Sequence, residues 1–187
     1  MTRIPFYKEQ NMYRTWICAG ILSAAALGAG ANRAADEPGK NVTVTEAKVD
    51  ALAKAVAEQK KVVLVDFWAT WCGPCMKKFP HFVDTHKKYK DKGLVCVSVS
   101  MDPKGKEDKY DKDAVLKFLK EKGAAFPNFV LLGYQADEEQ VSKRFGLDGG
   151  IPFQVLFGKD GKRVWTSEEK ELTDAELDKL IETELAK

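Results

Sequence analysis

Histidine and cysteine are scarce in this chain: His81 and His86 are the only histidines, and Cys18, Cys72, Cys75 and Cys96 the only cysteines, among 187 residues. A structural zinc site needs four Cys or His ligands. Here a single Cys pair is followed by two histidines on the same predicted helix, with no second pair, so no metal site is expected and both histidines read as surface residues. The three cysteines beyond residue 31, Cys72, Cys75 and Cys96, are also too few to scaffold a secreted domain with disulfides. Excess charge is missing as well. Lys and Arg total 30 and Asp and Glu 28; Arg3, Lys8, Arg14 and Glu9 precede residue 32, leaving 27 of each sign beyond it. That balance lacks the basic surface a nucleic-acid partner requires. The mixed-sign runs at 104–112 and 168–171 read as solvated surface. Beyond residue 41 there is no internal repeat and no low-complexity tract.

Long uncharged runs are equally rare, and the exception lies at the start. Residues 15–32 carry no charge, follow Arg14, and are apolar or small from Trp16 to Leu27. This is the layout of an export signal. Ala29-Gly30-Ala31 offers a small-residue cleavage site, so residues 1–31 are expected to be a signal peptide, with Met12 an alternative start. The alternative is an uncleaved anchor, since 18 residues sit at the lower edge of a membrane span. Cys18 lacks the residues that precede a lipoprotein cysteine. Residues 32–41, with Pro38 and Gly39, read as a flexible linker, and order is expected over 42–187.

Within 42–187, strand and helix signals alternate. A helix is expected over 45–58, capped by Thr45, with Val49, Leu52, Ala53 and Val56 on one face. Val62-Val63-Leu64-Val65-Asp66-Phe67 lacks polar alternation and predicts a strand buried on both faces. A helix containing Pro80 follows to about Lys90, then a second buried strand over 94–99. After a charged loop at 102–112, a helix over 114–122 ends at Gly123, and an extended piece covers 129–132. A helix is expected at 138–145. Strands at 153–157 and 163–166 flank a hairpin containing Asp160-Gly161. Thr173-Asp174-Ala175-Glu176 is a capping box for the last helix. The pattern predicts an α/β domain with a central mixed β-sheet flanked by helices, carrying a helix-plus-extended insertion around 111–132.

The chemistry is expected in Trp71-Cys72-Gly73-Pro74-Cys75. Disulfide exchange needs an exposed, stabilised thiolate beside a second thiol that completes the reaction. At the junction of a buried strand and a helix, Cys72 meets the free N–H groups and positive dipole end of the helix, which favour its thiolate. Pro74 in the first turn needs no N–H donor. Cys75, one turn further in, is expected to be more buried and to act as the resolving thiol. A purely structural disulfide in so tight a loop would contribute little chain entropy. Asp66, six residues before Cys72 in an otherwise apolar strand, is expected to be buried behind Cys75 with a raised pKa, ready to take and return a proton. Cys96 reads as a small core residue.

The segment Val65-Asp66-Phe67-Trp68-Ala69-Thr70-Trp71-Cys72-Gly73-Pro74-Cys75, with Pro80 beyond it, resembles the active site of thioredoxins. Gly150-Ile151-Pro152 before a strand resembles that family's cis-proline loop, which implies a cis Ile151–Pro152 bond facing Cys72 and a substrate groove at Ile151 and Phe153. The export signal, Phe79-Pro80 and the 111–132 insertion resemble the exported TlpA and ResA-like branch. Lys78 departs from that branch's usual Glu, and Phe153 from its usual Thr. The resemblance implies a thioredoxin-like fold and thiol:disulfide oxidoreductase activity in the periplasm without a cofactor. Its partners would be disulfide-bearing exported proteins, apocytochromes among them, and a membrane thiol reductase as electron donor. The alternatives are an oxidant or a copper- or protein-binding module without turnover. Copper carriers of this fold space their cysteines as Cys-x-x-x-Cys with a distant His, and no His follows His86. The Pro-x-x-x-Thr-x-x-Cys pattern of peroxiredoxins is absent.

Overall fold

A computed structural model describes residues 41–104 and 108–187. The expected signal at 1–31 and all but the last residue of the 32–41 linker lie outside the described residues. The fold is built on β2 (Val62–Trp68), in which all seven residues are buried. Such a run has no face to offer water, so it must lie inside a sheet covered on both sides. It pairs in parallel with β3 (Leu94–Ser100) and antiparallel with β5 (Phe153–Phe157). The six-stranded sheet has the order β1-β4-β3-β2-β5-β6, where β1 is Thr45–Ala47, β4 Asn128–Leu131 and β6 Arg163–Thr166.

The two-residue alternation of strands divides the core into two layers. Leu64, Trp68 and Cys96 face α2 (Gly73–Tyr89), α3 (Lys112–Lys122) and α5 (Asp174–Leu185), packing with Phe79, Phe118 and Ile181. Val63, Val65 and Phe67 face α1 (Val49–Ala57) and α4 (Glu138–Phe145), packing with Leu52 and Phe145. The helix starts follow their caps: Asp111 accepts from the Ala114 N–H at 2.9 Å, and Thr173 and Glu176 form the expected capping box.

One expectation needs correction. Thr45 does not cap a helix; it opens β1, whose three residues pair in parallel with Phe129, Val130 and Leu131. The β-branched run Val42-Thr43-Val44-Thr45 suits an edge strand, and α1 starts only at Val49. The expected extended piece of the 111–132 insertion is present. It is β4, an interior strand between β1 and β3. Asn128 anchors it from a buried position, accepting from the Ser98 hydroxyl at 2.7 Å and donating to the carbonyls of Phe126 at 2.7 Å and Ala124 at 3.0 Å. Replacing Asn128 with Ala strands these buried groups, each worth about 1–3 kcal/mol when left unpaired. Asn128→Ala is therefore expected to lower unfolding stability by about 2–4 kcal/mol in denaturant titration; an unchanged midpoint would show that the network contributes nothing.

Candidate active site

The chain leaves β2 at Trp68, turns through Ala69-Thr70-Trp71 and enters α2 at Gly73. The turn is closed by the Cys72 N–H donating to the Ala69 carbonyl at 3.1 Å. Cys72 is the N-cap of α2, and its Sγ accepts from the Cys75 N–H at 3.2 Å. One of the helix's orphan donors is thus aimed at the sulfur, where it and the dipole stabilise negative charge. Pro74 occupies the first turn, where its missing N–H leaves no gap in the helix ladder. Cys72 and Cys75 are joined as a disulfide, with their Cα atoms 5.3 Å apart. Cys72 is 5% exposed and Cys75 2%. The expected contrast in exposure between them is therefore slight, and the group that projects into solvent is Trp71, at 51%.

The loop before β5 closes the site from the other side. The Ile151–Pro152 bond is cis, and the Ile151 carbonyl oxygen lies 3.8 Å from Cys72 Sγ. Glu168 holds the approach to this loop, its carboxylate accepting from the N–H groups of Asp148 at 3.2 Å and Gly149 at 2.9 Å. A cleft of about 500 Å³ opens beside it, with Trp71, Met101, Tyr134, Val141, Leu147 and Ile151 in its wall. Phe153 does not face this cleft as expected. It is the first residue of β5, fully buried, with its ring 5.7 Å from that of Phe67. Alternation along β5 turns it toward the α1 and α4 layer.

Asp66 is 5% exposed and shares its face of β2 with Leu64 and Trp68, so its carboxyl lies on the α2 side of the sheet. Burial pushes its pKa up to about 7, against the opposing pull of a hydrogen bond from Gln154 Nε2 at 2.8 Å and the charge of Lys78. Lys78 itself sits on α2, 3.5 Å from Glu171. The same layer raises the pKa of Cys96, first through burial and then through the charge of Asp66. Cys96 is a buried free thiol in the core. The other six residues of β2 are buried and apolar, each worth about 1.5–3 kcal/mol. Together they outweigh one desolvated carboxyl, which is why the strand stays buried with Asp66 inside it.

Asp102, which had drawn no attention in the sequence, holds the motif's lead-in. Buried just beyond the end of β3, it accepts from the Thr70 N–H at 3.1 Å, from the Thr70 hydroxyl and from the Ser100 hydroxyl at 2.6 Å. Two residues on, the Lys104 ammonium lies 4.8 Å from the centroid of the Trp71 ring, a cation–π contact. The only prior signal was a pair of polar residues, Ser100 and Asp102, at the end of an apolar strand. One of the two histidines also departs from expectation. His81 lies at the surface with its Nδ1 3.4 Å from the exposed Asp174, whereas His86 is half-buried with its ring edge-on to Phe126 and is not a plain surface residue. Among the described residues no cluster of His, Cys, Asp or Glu is arranged to hold a metal ion.

A strand-turn-helix junction carrying a vicinal Cys pair opposite a cis-proline loop, on a mixed sheet between helix layers, defines a thioredoxin-like fold. The Redoxin family model matches residues 34–181, and the chain belongs to that family. It is 37% identical over 104 residues to the thiol-disulfide oxidoreductase ResA of Bacillus subtilis, covering 56% of this chain and 51% of that protein. The corresponding ResA of Bacillus thuringiensis is 32% identical over 105 residues, covering 56% and 53%. The chain thus spans about half the length of the curated relatives it matches. Among solved structures it is similar to the thioredoxin domain of a thiol-disulfide oxidoreductase from Bacteroides vulgatus. That match has a TM-score of 0.52 and 27% identity, and covers 67% of this chain and 79% of that one. A thiol:disulfide interchange protein from Bacteroides sp. gives a TM-score of 0.51 at 27% identity, over 70% and 78%.

The raised pKa of Asp66 makes stability depend on pH in a definite direction. In the unfolded chain this carboxyl ionises near pH 3.9; in the folded chain it does so near 7. Below about pH 4 both states hold the proton and the group has no effect. Between 4 and 7 the folded state binds more protons, so stability falls as pH rises, and above 7 the penalty is complete. Asp66→Asn removes it. The variant is expected to match its parent near pH 4 and to exceed it by up to about 4 kcal/mol above pH 7 in denaturant titrations. A difference independent of pH would contradict this.

Proposed function

We propose that this chain is a thiol:disulfide oxidoreductase of the bacterial cell envelope that reduces disulfides in exported proteins. The observation that carries the reading is the Cys72–Cys75 pair at the N-terminus of α2, with the Cys75 N–H directed at Cys72 Sγ and the Ile151 carbonyl beside it. In the reduced enzyme the Cys72 thiolate attacks a substrate disulfide, forming a mixed disulfide and releasing one substrate thiolate, which takes up a proton. Cys75 then loses its proton to Asp66 and attacks Cys72 Sγ. This releases the second substrate thiolate and closes the Cys72–Cys75 disulfide. Two electrons pass to the substrate, and a dithiol donor must return them. A carboxyl ionising near neutrality can both take and release that proton.

Direction follows from what lies between the cysteines. Gly73 and Pro74 offer Cys72 no side-chain donor, so its thiolate is favoured by the helix terminus alone. That keeps the pair toward the reducing end of the fold's range. The ResA names of the relatives and the uncharged run at 15–32 support an envelope setting, through either a cleaved signal or an anchor. Among the described residues no helix is long and apolar enough to cross a membrane. The proposed substrates are exported proteins with exposed disulfides, apocytochromes among them, and the proposed donor is a membrane thiol reductase. Trp71, Pro152 and Ile151 form the wall on which a substrate strand would lie, and Lys78 on α2 is where this chain departs from its branch.

Reduction of insulin disulfides tests the reading. The parent protein is expected to turn over with a dithiol donor, Cys72→Ser to be inactive, and Cys75→Ser to accumulate substrates as mixed disulfides on Cys72. Trapping through Cys75 in a Cys72→Ser variant instead would reverse the roles, and turnover that survives loss of both thiols would end the proposal.

A further inference from the structure

A second concave site lies at the other end of the sheet. Its cavity, about 220 Å³, is lined by Lys60, Lys61, Lys143, Arg144 and Lys159 and by no Asp or Glu. Its floor is apolar, formed by the buried side chains of Val56, Val63, Phe145 and Phe157. β2 begins beside this pocket, at Val62, and ends at Trp68 beneath the Cys pair. Seven residues of strand at about 3.3 Å each put the two sites roughly 20 Å apart.

Five cations in one lining stand out in a chain whose charges balance beyond residue 32. Two of the five are already held, Arg144 by Asp50 and Lys159 by the Leu185 carbonyl, to which its ammonium donates at 2.9 Å. Asp50 pairs with Arg144 at 3.0 Å, Asp160 with Lys162 at 3.2 Å and Glu58 with Lys54 at 3.7 Å. Lys60, Lys61 and Lys143 form no ion pair with any described residue. All five side chains are exposed, so their pull on an anion is strongest at low ionic strength. Lys60 is placed there against backbone preference: its φ is +48°, in the left-handed region that favours glycine.

We propose that this pocket is an anion site that takes a phosphate group carried on a short carbon skeleton. Lys60, Lys61 and Lys143 meet the phosphate oxygens, and the apolar floor meets the adjoining carbons. The volume is below the roughly 300–1,000 Å³ of pockets for drug-sized ligands, so the occupant is small. It is either a soluble phosphate ester or the headgroup of an anionic lipid. The site shares no residue with the exchange chemistry, so its test is independent of that reading.

The test compares the full-length protein with a Lys60→Gly/Lys143→Gln variant. Lys60→Gly relieves the left-handed backbone, so loss of binding cannot be ascribed to misfolding. Thermal unfolding is followed with glycerol phosphate, inorganic phosphate and sodium chloride at equal ionic strength. Flotation is measured with phosphatidylglycerol and with phosphatidylcholine vesicles. The parent is expected to bind glycerol phosphate, phosphatidylglycerol vesicles or both beyond the chloride and phosphatidylcholine controls, and the variant to bind at least tenfold more weakly. Binding to glycerol phosphate marks a soluble ester as the source; vesicle binding alone marks the lipid headgroup. No response beyond the controls, equal binding by the variant, or an equal loss in a Lys54→Gln/Lys179→Gln variant outside the pocket would overturn the proposal.

Discussion

Everything in this molecule depends on a strand that has no wet face. β2 is buried along its whole length, and its neighbours β3 and β5 shield its edges. Helices must therefore cover both sides of the sheet. The strand's own polar residue, Asp66, must remain inside, and the chain can reach solvent only by leaving at Trp68. The Cys pair sits at that exit. Burial that makes the carboxyl of Asp66 reluctant to ionise also places it on the layer where α2 packs. One constraint thus sets both the position of the Cys pair and the raised pKa of Asp66.

The exit itself is held from a distance in sequence. Asp102 fixes Thr70 and Lys104 covers Trp71, so the segment leaving β3 grips the segment leaving β2. On the far side, Glu168 after β6 fixes the loop that brings Ile151 to Cys72. The two halves of the site are therefore each set by a carboxylate accepting backbone N–H groups. Such bonds cost little to reorganise during reaction because they are already formed. The insertion contributes in the same way: by donating β4 to the sheet interior it makes β3 a central strand, and so stiffens the origin of Asp102.

Most of the architecture was legible because burial leaves a periodic trace. The apolar runs of β2 and β3, the Asp-Gly hairpin and the capping box of α5 each carry their signal within a few neighbouring residues. What escaped was non-local. β1 is three residues long and has meaning only in register with β4, so Thr45 read as a helix cap. Phe153 was assigned to the groove by position relative to Pro152, yet strand alternation turns its ring into the core beside Phe67. Asp102 resembles any acid at the head of a charged loop until Thr70 is brought against it. In the site, Cys72, Cys75, Asp66 and the proline loop were marked by motif, whereas their supports were not.

The central claim is that the Cys72–Cys75 pair works as a reductant, tuned by a helix terminus alone. Its reduction potential tests this most directly, measured by equilibrating the protein in thiol–disulfide buffers and following the fluorescence of the tryptophans beside the pair. A potential near that of thioredoxin, about −270 mV, is the predicted result; one near the strong periplasmic oxidants, about −120 mV, would contradict it.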